Sequence, residues 1–303
     1  MNKMKQNNTK QNVAQPFVSI ITPTYNRAHT LERLFESLKA QTDLDFEWIV
    51  IDDGSTDNTE DLVRSFSEQK QLFKILYHRQ SNAGVCGASN SGLERVRGEM
   101  VFLLGSDDML TSNAIEIIRE EESKISASKD FAGLAFSLVD EKGHIIGTRT
   151  KKPYIDTTTL HLNRYNIRGD KVQVYYSDIL TRYRFPEFEG EPHQETAVVF
   201  YQIGKQGFKL RWFNKEIYIA EYSPGGLTRS GDSVFKSSPR GRAQYISLLM
   251  TINTSFIQRC LLQSLYARQI YNYKNLKKAT SELEGGNIIE MYIGVFIRKL
   301  FRK

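Results

Sequence analysis

Two apolar stretches of this chain stop at adjacent carboxylates: Val50-Ile51-Asp52-Asp53-Gly54-Ser55-Thr56-Asp57 and, about fifty residues later, Phe102-Leu103-Leu104-Gly105-Ser106-Asp107-Asp108. Carboxylate oxygens suit Mg2+ or Mn2+, which proteins hold with one or two carboxylates plus substrate phosphates and water. A carboxylate after a strand also accepts hydrogen bonds from a ring N–H or a ribose hydroxyl. In an open α/β sheet, ligands sit beyond the carboxyl ends of the strands, so two acid-tipped strands at one edge predict one shared site. That site is anionic, and a phosphate-bearing ligand enters it only with a divalent cation between the charges. The plain alternative for each pair is a helix cap. Asp57 stands nearer the next cap than Asp52-Asp53 does, and Thr111, Ser112 and Asn113 can cap the helix after Asp107-Asp108. Both pairs are thereby left for a ligand, with Asp107-Asp108 the stronger metal candidate.

Other chemistry-bearing residues stand alone. Arg79, just past a strand, either pairs with a phosphate or base or lies solvated, and His29 and His78 read as packed or exposed rather than as ligands. Neither the dinucleotide glycine pattern nor the P-loop pattern occurs in usable form, which argues against dinucleotide oxidoreductases and P-loop hydrolases. Cys86 and Cys260 match no metal-ligand spacing and read as two buried, reduced thiols, which fits a reducing cytoplasm.

The elements that must position these residues follow from periodicity. The stretch Phe17 to Asn26 begins as a strand rich in β-branched residues and is cut off by Pro23. Leu31, Leu34, Phe35 and Leu38 then recur at helical spacing, with Thr30 available as N-cap and an end near Gln41. Strands are predicted over 46–51, 73–78 and 100–104. Asp57 and Glu60 have the spacing of a capping box for a helix that buries Leu62, Val63 and Phe66. The small-residue run 82–92 leads into a helix able to pack closely or to let a ligand approach, and Ala114, Ile115, Ile117 and Ile118 start another. Strand alternating with helix four times predicts an α/β fold with a parallel sheet. Beyond Phe131 a hairpin is expected, with Asp140-Glu141-Lys142-Gly143 as its turn. Residues 150–190 have no clean period, short strands or helix starts resume at 197–201 and 217–222, and the chain reads as helical from Ser237, with a break at Gly285-Gly286.

The chain has 303 residues, 40% of them hydrophobic, with 17 Phe and 15 Tyr, enough for a large core. Residues 1–15 are polar and lack the apolar core of a signal peptide, so they read as a disordered tail. No apolar run reaches the roughly 18 to 20 residues of a membrane-spanning helix. From Ile257 to Lys303 there are nine Lys or Arg against three Glu, a net +6 that equals the net charge of the whole chain. The basic character is therefore confined to the C-terminal segment, and no nucleic-acid partner is expected.

The segments VSIITPTYNR, VIDDGSTDNT, SNAGVCGASNSGL and FLLGSDDML, in this order and spacing, resemble the nucleotide-sugar-binding half of family 2 inverting glycosyltransferases with the GT-A fold. The likeness is close over 17 to about 120. A looser one runs through Phe185–Thr196 and Tyr222–Thr228, which are similar to acceptor-side motifs of bacterial capsule and surface-polysaccharide members. The resemblance implies a Rossmann-like, mostly parallel sheet flanked by helices. It divides the chain into a catalytic domain over 16–235, split near 125 into donor and acceptor halves, and a basic helical extension over 236–303.

The same resemblance assigns residues. Thr22, Pro23, Thr24, Tyr25, Asn82 and Ser106 would belong to the donor pocket, Asp53 would accept from a uracil ring with Arg79 beside it, and Asp107 would ligate Mn2+ or Mg2+ with Asp108 near the donor sugar. Gly105 departs from the family, whose D-x-D pattern has acid there, so the metal should bind weakly without nucleotide. The family's base is an acid in a Glu-Asp segment; here Thr196 replaces the second acid, leaving Glu195 as the best match and Glu191 next. Such a base takes the proton of the attacking acceptor hydroxyl. The implied activity is single-displacement transfer from a UDP-sugar to a surface glycan, lipid-linked at the inner membrane face. The alternative is a glycan- or nucleotide-binding module that kept the fold and lost the chemistry; a nucleotidyltransferase lacks its basic triphosphate loop here. The last segment, Ile288 to Lys303, mixes apolar and basic residues, and either lies peripherally on an anionic membrane or packs on its own domain or a second subunit.

Overall fold

In the computed structural model, residues 15–69, 72–221, 232–252 and 255–301 are described. Most of the predicted tail, the acceptor-side segment Tyr222–Thr228, Arg302 and Lys303 lie outside them. Four apolar runs, β1 (Val18–Thr24), β2 (Phe46–Asp52), β3 (Lys74–Arg79) and β4 (Met100–Leu103), form a parallel array in the order β3-β2-β1-β4. β1 is bonded to β2 on one side and to β4 on the other. Strand order therefore reverses at β1, the place where an α/β sheet opens a crevice.

The sheet is covered on both faces. Phe46, Trp48 and Val50 of β2 join the cluster that includes Leu31, Leu34, Phe35 and Leu38 of α1 (Ala28–Lys39) and Val63 and Phe66 of α2 (Thr59–Glu68). Ile49 and Ile51 point the other way, into a cluster with Cys86 and Leu93 of α3 (Gly84–Leu93). Burial on both faces is why Trp48 to Ile51 of β2 reads as an unbroken apolar run. Two local expectations are corrected. Thr30 is not the N-cap of α1 but sits in its first turn, where its hydroxyl donates to the Ser106 carbonyl at 2.8 Å. Asp57 is not the N-cap of α2, which is Asn58, but stands one residue before it and accepts from Thr59 N at 3.1 Å, and Glu60 completes no capping box, because Arg64 and Arg79 engage its carboxylate.

The second half follows β5 (Met109–Leu110) and α4 (Ala114–Glu122). β6 (Phe131–Asp140) and β7 (Ile145–Ile146) form the expected hairpin. The aperiodic stretch holds β8 (Tyr154–Thr157), a 3-10 segment Thr159–Tyr165, β9 (Val172–Tyr176) and α5 (Ser177–Leu180). β9 lies antiparallel between β4 and β6 and so joins the two halves in one mixed sheet. After α6 (Ala197–Lys205), the chain enters β10 (Lys209–Ala220), a longer strand than the sequence indicated, parallel to β6.

The C-terminal segment is helical, as expected: α7 (Asp232–Lys236), α8 (Pro239–Ile252), α9 (Phe256–Tyr271), α10 (Leu276–Ser281) and α11 (Ile288–Leu300). Ile246, Met250, Tyr266 and Met291 form a core there that is separate from the two sheet clusters. Gly285 ends the run before α11 with a φ of +71°, a conformation that favours glycine. Among the described residues, no helix is long and apolar enough to cross a membrane.

Candidate functional site

A cavity of about 720 Å3 opens at the carboxyl ends of β1, β2 and β4. Of the sequence candidates it gathers Pro23, Thr24 and Tyr25 from β1 and its following loop, Asp53 from beyond β2, Asn82 before α3, and Ser106, Asp107 and Asp108 from beyond β4. Asp53 and Asp107, distant in sequence, thus line one space. Thr22, Arg79, Glu191 and Glu195 are outside its lining. Thr22 lies two residues, about 6.6 Å, back along β1 from Thr24. Its hydroxyl is buried and accepts from the Trp48 indole at 2.9 Å, so it supports the sheet rather than a ligand. Arg79 is held by Glu60 at 2.9 Å and by the Ser55 carbonyl at 2.7 Å, on the far side of β2 from β1.

The carboxylates differ in how far the protein already uses them. Asp52 is structural: it accepts from Ser55 N at 2.7 Å and from the Tyr77 hydroxyl at 2.6 Å. Asp53 accepts from Gln80 Nε2, Ala83 N and Gly84 N, each at 2.8 Å, and so anchors the start of α3. The pair at the end of β2 therefore does have structural tasks, contrary to the sequence expectation. A carboxylate offers about four lone-pair sites, so three bonds leave Asp53 room for one more donor. Beside it, the buried Thr24 hydroxyl has no partner among the described residues, which marks the end of β1 as a place where a polar ligand belongs.

Beyond β4, Asp107 is the freest acid of the cavity. Its carboxylate accepts no hydrogen bond among the described residues, and the nearest cation is Arg27 Nη2 at 3.9 Å. Asp108 is taken: the Tyr218 hydroxyl and Glu221 N (2.9 Å) both donate to it. Burial lifts its pKa to about 7, and the Asp107 charge adds to that rise, while the Tyr218 hydrogen bond and Arg33 oppose it. A Cβ at Gly105 would collide with Asp108 Oδ2 and lie 3.2 Å from the Tyr218 hydroxyl. The missing first acid of the D-x-D pattern is thus a matter of space, which the Asp108–Tyr218 pair fills. One free carboxylate beside a crevice fits a divalent cation held jointly with a substrate diphosphate, not a cation held by protein alone. No cluster of three metal-ligating side chains occurs among the described residues.

Sequence reading missed Arg27 and Lys171, which also line the cavity. Arg27 is the last residue of the quoted VSIITPTYNR run and could have been found by its place just past the strand end. Lys171 left no signal, because it precedes the short β9 in the aperiodic stretch. Burial holds its amine below the usual lysine pKa, with Asp170 and Glu216 opposing, and its hydrogen bond to the Ile146 carbonyl is long at 3.4 Å.

Residues 19–126 match the family model described as Glycosyl transferase family 2. The chain carries a family 2 glycosyltransferase domain. It is 27% identical over 227 residues to glycosyltransferase GlyA of Streptococcus pneumoniae, which covers 70% of this chain and 31% of that protein. Over 109 residues it is 33% identical to the GalNAc(5)-diNAcBac-PP-undecaprenol beta-1,3-glucosyltransferase of Campylobacter jejuni, covering 36% of this chain and 35% of the relative. The chain thus spans about a third of the length of these curated relatives. Among solved structures, S. aureus TarS 1-349 in complex with UDP-GlcNAc superposes with a TM-score of 0.57 at 18% identity, over 88% of this chain and 76% of that one. The fold is GT-A.

Helix α3 of this glycosyltransferase domain seats the loop over 185–196. Asn90 donates to the Phe185 carbonyl (2.9 Å) and Glu187 Oε1 (2.6 Å) and accepts from Phe185 N (2.8 Å). Gly84, at φ +75°, lies so close to the loop that a Cβ there would be 2.9 Å from the Pro192 carbonyl oxygen, and the Cys86 thiol meets the Gln194 carbonyl at 3.5 Å. The small-residue run is therefore small because another segment lies on it. That segment carries both base candidates. Glu191 is committed: it accepts from Arg240 N and Gly241 N, each at 2.9 Å, and caps α8, so it is corrected from a base candidate to a helix cap. Glu195 Oε1 accepts from Arg242 at 2.5 Å. Arg242 is buried over the Phe235 ring and needs a counter-charge, so Glu195 has a structural task beside any catalytic one. Its neighbour Thr196 lines the cavity.

Proposed function

We propose that this protein is an inverting glycosyltransferase that takes a sugar from a nucleotide sugar, with UDP as the nucleotide, and passes it to a hydroxyl of a lipid-linked surface glycan. The observation that carries this reading is the meeting in one cavity of Asp53, the Thr24 hydroxyl, which has no partner among the described residues, and the Asp107 carboxylate, 3.9 Å from Arg27. Tyr25, half exposed at the rim, offers a ring face for a base, and the remaining lone pair of Asp53 suits a ring N–H. Asp107 would hold Mn2+ or Mg2+ together with the diphosphate, and such an ion neutralises charge on a departing diphosphate. Arg27 stands close enough to share that anionic load. Glu195 accepts the proton of the acceptor hydroxyl, and Arg242 fixes its orientation. The glycan acceptor and its undecaprenyl-type carrier are supported by the printed name of the Campylobacter relative, and UDP by the ligand of the TarS complex.

The test is UDP release from UDP-sugars with and without acceptor, with the anomeric configuration of the product read by NMR. Asp107→Ala should lower turnover by about 100-fold or more with the fold intact. Glu195→Gln should lower kcat by roughly 100-fold with donor affinity unchanged. Donor binding with no transfer to any acceptor would favour the binding-module reading. A product that retains the donor's anomeric configuration would overturn the single displacement.

A further inference from the structure

Helix α11 is apolar on two opposite sides, and the protein uses one of them. Met291, Gly294 and Val295 are buried. Gly294 lies so close to α9 that a Cβ there would collide with the Cys260 carbonyl oxygen, and Arg298 donates to the Leu261 carbonyl (3.0 Å) and Ser264 Oγ (2.8 Å) of α9. At about 100° per residue, Ile289, Tyr292, Phe296 and Leu300 follow one another along the opposite side. They are 66, 54, 65 and 59% exposed, and Phe301 beyond them is 84% exposed. On α9, Ile257 is exposed as well and shares a shallow cleft with Ile297 and Phe301. A continuous row of this kind marks an interaction surface, whereas single exposed apolar residues do not.

Charge identifies the occupant. The segment 257–303 carries nine Lys or Arg against three Glu, so its net +6 equals that of the entire chain. Lys299 is exposed between Phe296 and Leu300, and the sequence continues with Arg302 and Lys303. A second copy would bring like charge against like, while anionic lipid headgroups attract it. The 13 residues of α11 extend about 20 Å, too short to cross a bilayer, so the helix can only lie in the surface. We propose that the outer face of α11 is an anchor that sets Ile289, Tyr292, Phe296 and Leu300 into the headgroup boundary of an anionic membrane, with Lys299 at the lipid phosphates.

The anchor goes beyond the transfer reading, and vesicle binding needs neither donor nor acceptor, so its failure leaves that reading standing. The full chain is sedimented with phosphatidylcholine vesicles containing about 30% phosphatidylglycerol, and with phosphatidylcholine alone. Binding to the anionic vesicles should be at least about tenfold tighter and should weaken with salt. The double substitution Ile289→Glu and Phe296→Glu should lower it by about tenfold or more with an unchanged circular dichroism spectrum, because both side chains are exposed. Lys299→Glu leaves the apolar row intact and should weaken binding to anionic vesicles alone. Equal binding to both vesicles, binding unaffected by the double substitution, or a solution dimer that this substitution splits into monomers would overturn the proposal.

Discussion

The side chain that residue 105 lacks is replaced, in space, by those of Asp108 and Tyr218. Putting the acid back should therefore harm the protein rather than improve its metal site. Gly105→Asp forces the pair apart, an overpacking that costs about 1–3 kcal/mol. The melting temperature should fall by roughly 2–10 °C, and affinity for Mn2+ without nucleotide should not rise, as calorimetry would show. His193, beside Glu195, gives a pH dependence. Burial lowers its pKa, Glu195 opposes this and Arg242 reinforces it, and its Nδ1 has no partner among the described residues. Above its ordinary value of 6.5 the ring is neutral in both folded and unfolded chains and contributes nothing. As pH falls below 6.5 the unfolded chain takes up the proton first, so stability is lost until the folded pKa is passed. Thermal melts at about pH 7.5 and about pH 5.5 should show a smaller acid loss in His193→Gln than in the parent; an equal loss would assign the effect elsewhere.

Among the elements, α3 matters most, because it packs β1 and β2 on one side and the loop with Glu195 on the other. Its Gly92 leaves room for Ile21 of β1, and its Asn90 ties down Phe185 and Glu187. Asn90→Ala removes three hydrogen bonds, two buried and one part-buried, an expected cost of about 2–4 kcal/mol, measurable by urea unfolding. Since the loop it releases holds the proposed base, KM for the acceptor should rise while donor affinity stays near that of the parent. Glu191→Ala should cost about 1 kcal/mol through the lost cap of α8 and should change the rate far less than Glu195→Gln.

For the whole molecule, the crevice joins strand ends that carry more acid than base, and the basic excess lies in the C-terminal helices. A diphosphate therefore meets a site that repels it until a cation arrives. UDP with Mn2+ at about 100 times the dissociation constant should raise the melting temperature by roughly 5 °C or more, whereas Mn2+ alone should leave it unchanged. Asp107→Ala should remove the metal-dependent part of that shift. A shift of equal size with UDP alone would show that Arg27 and Lys171 suffice.

The sequence by itself determined the parallel half of the sheet and which strand ends carry acid. A strand segment buried on both faces is apolar, as Trp48 to Ile51 and Val101 to Leu104 are, so the adjacent carboxylates stand where those runs stop. It also determined the skew of charge toward the last helices. The strand β9 escaped it, because five residues between polar flanks carry too little period to be seen. Only the tertiary structure decided which acids remain available. Asp53 anchors α3, Glu191 caps α8, Asp108 is bound by a tyrosine 110 positions away, and Asp107 is left over. Hydrogen-bond partners are allotted by proximity in space, and sequence spacing carries no record of that.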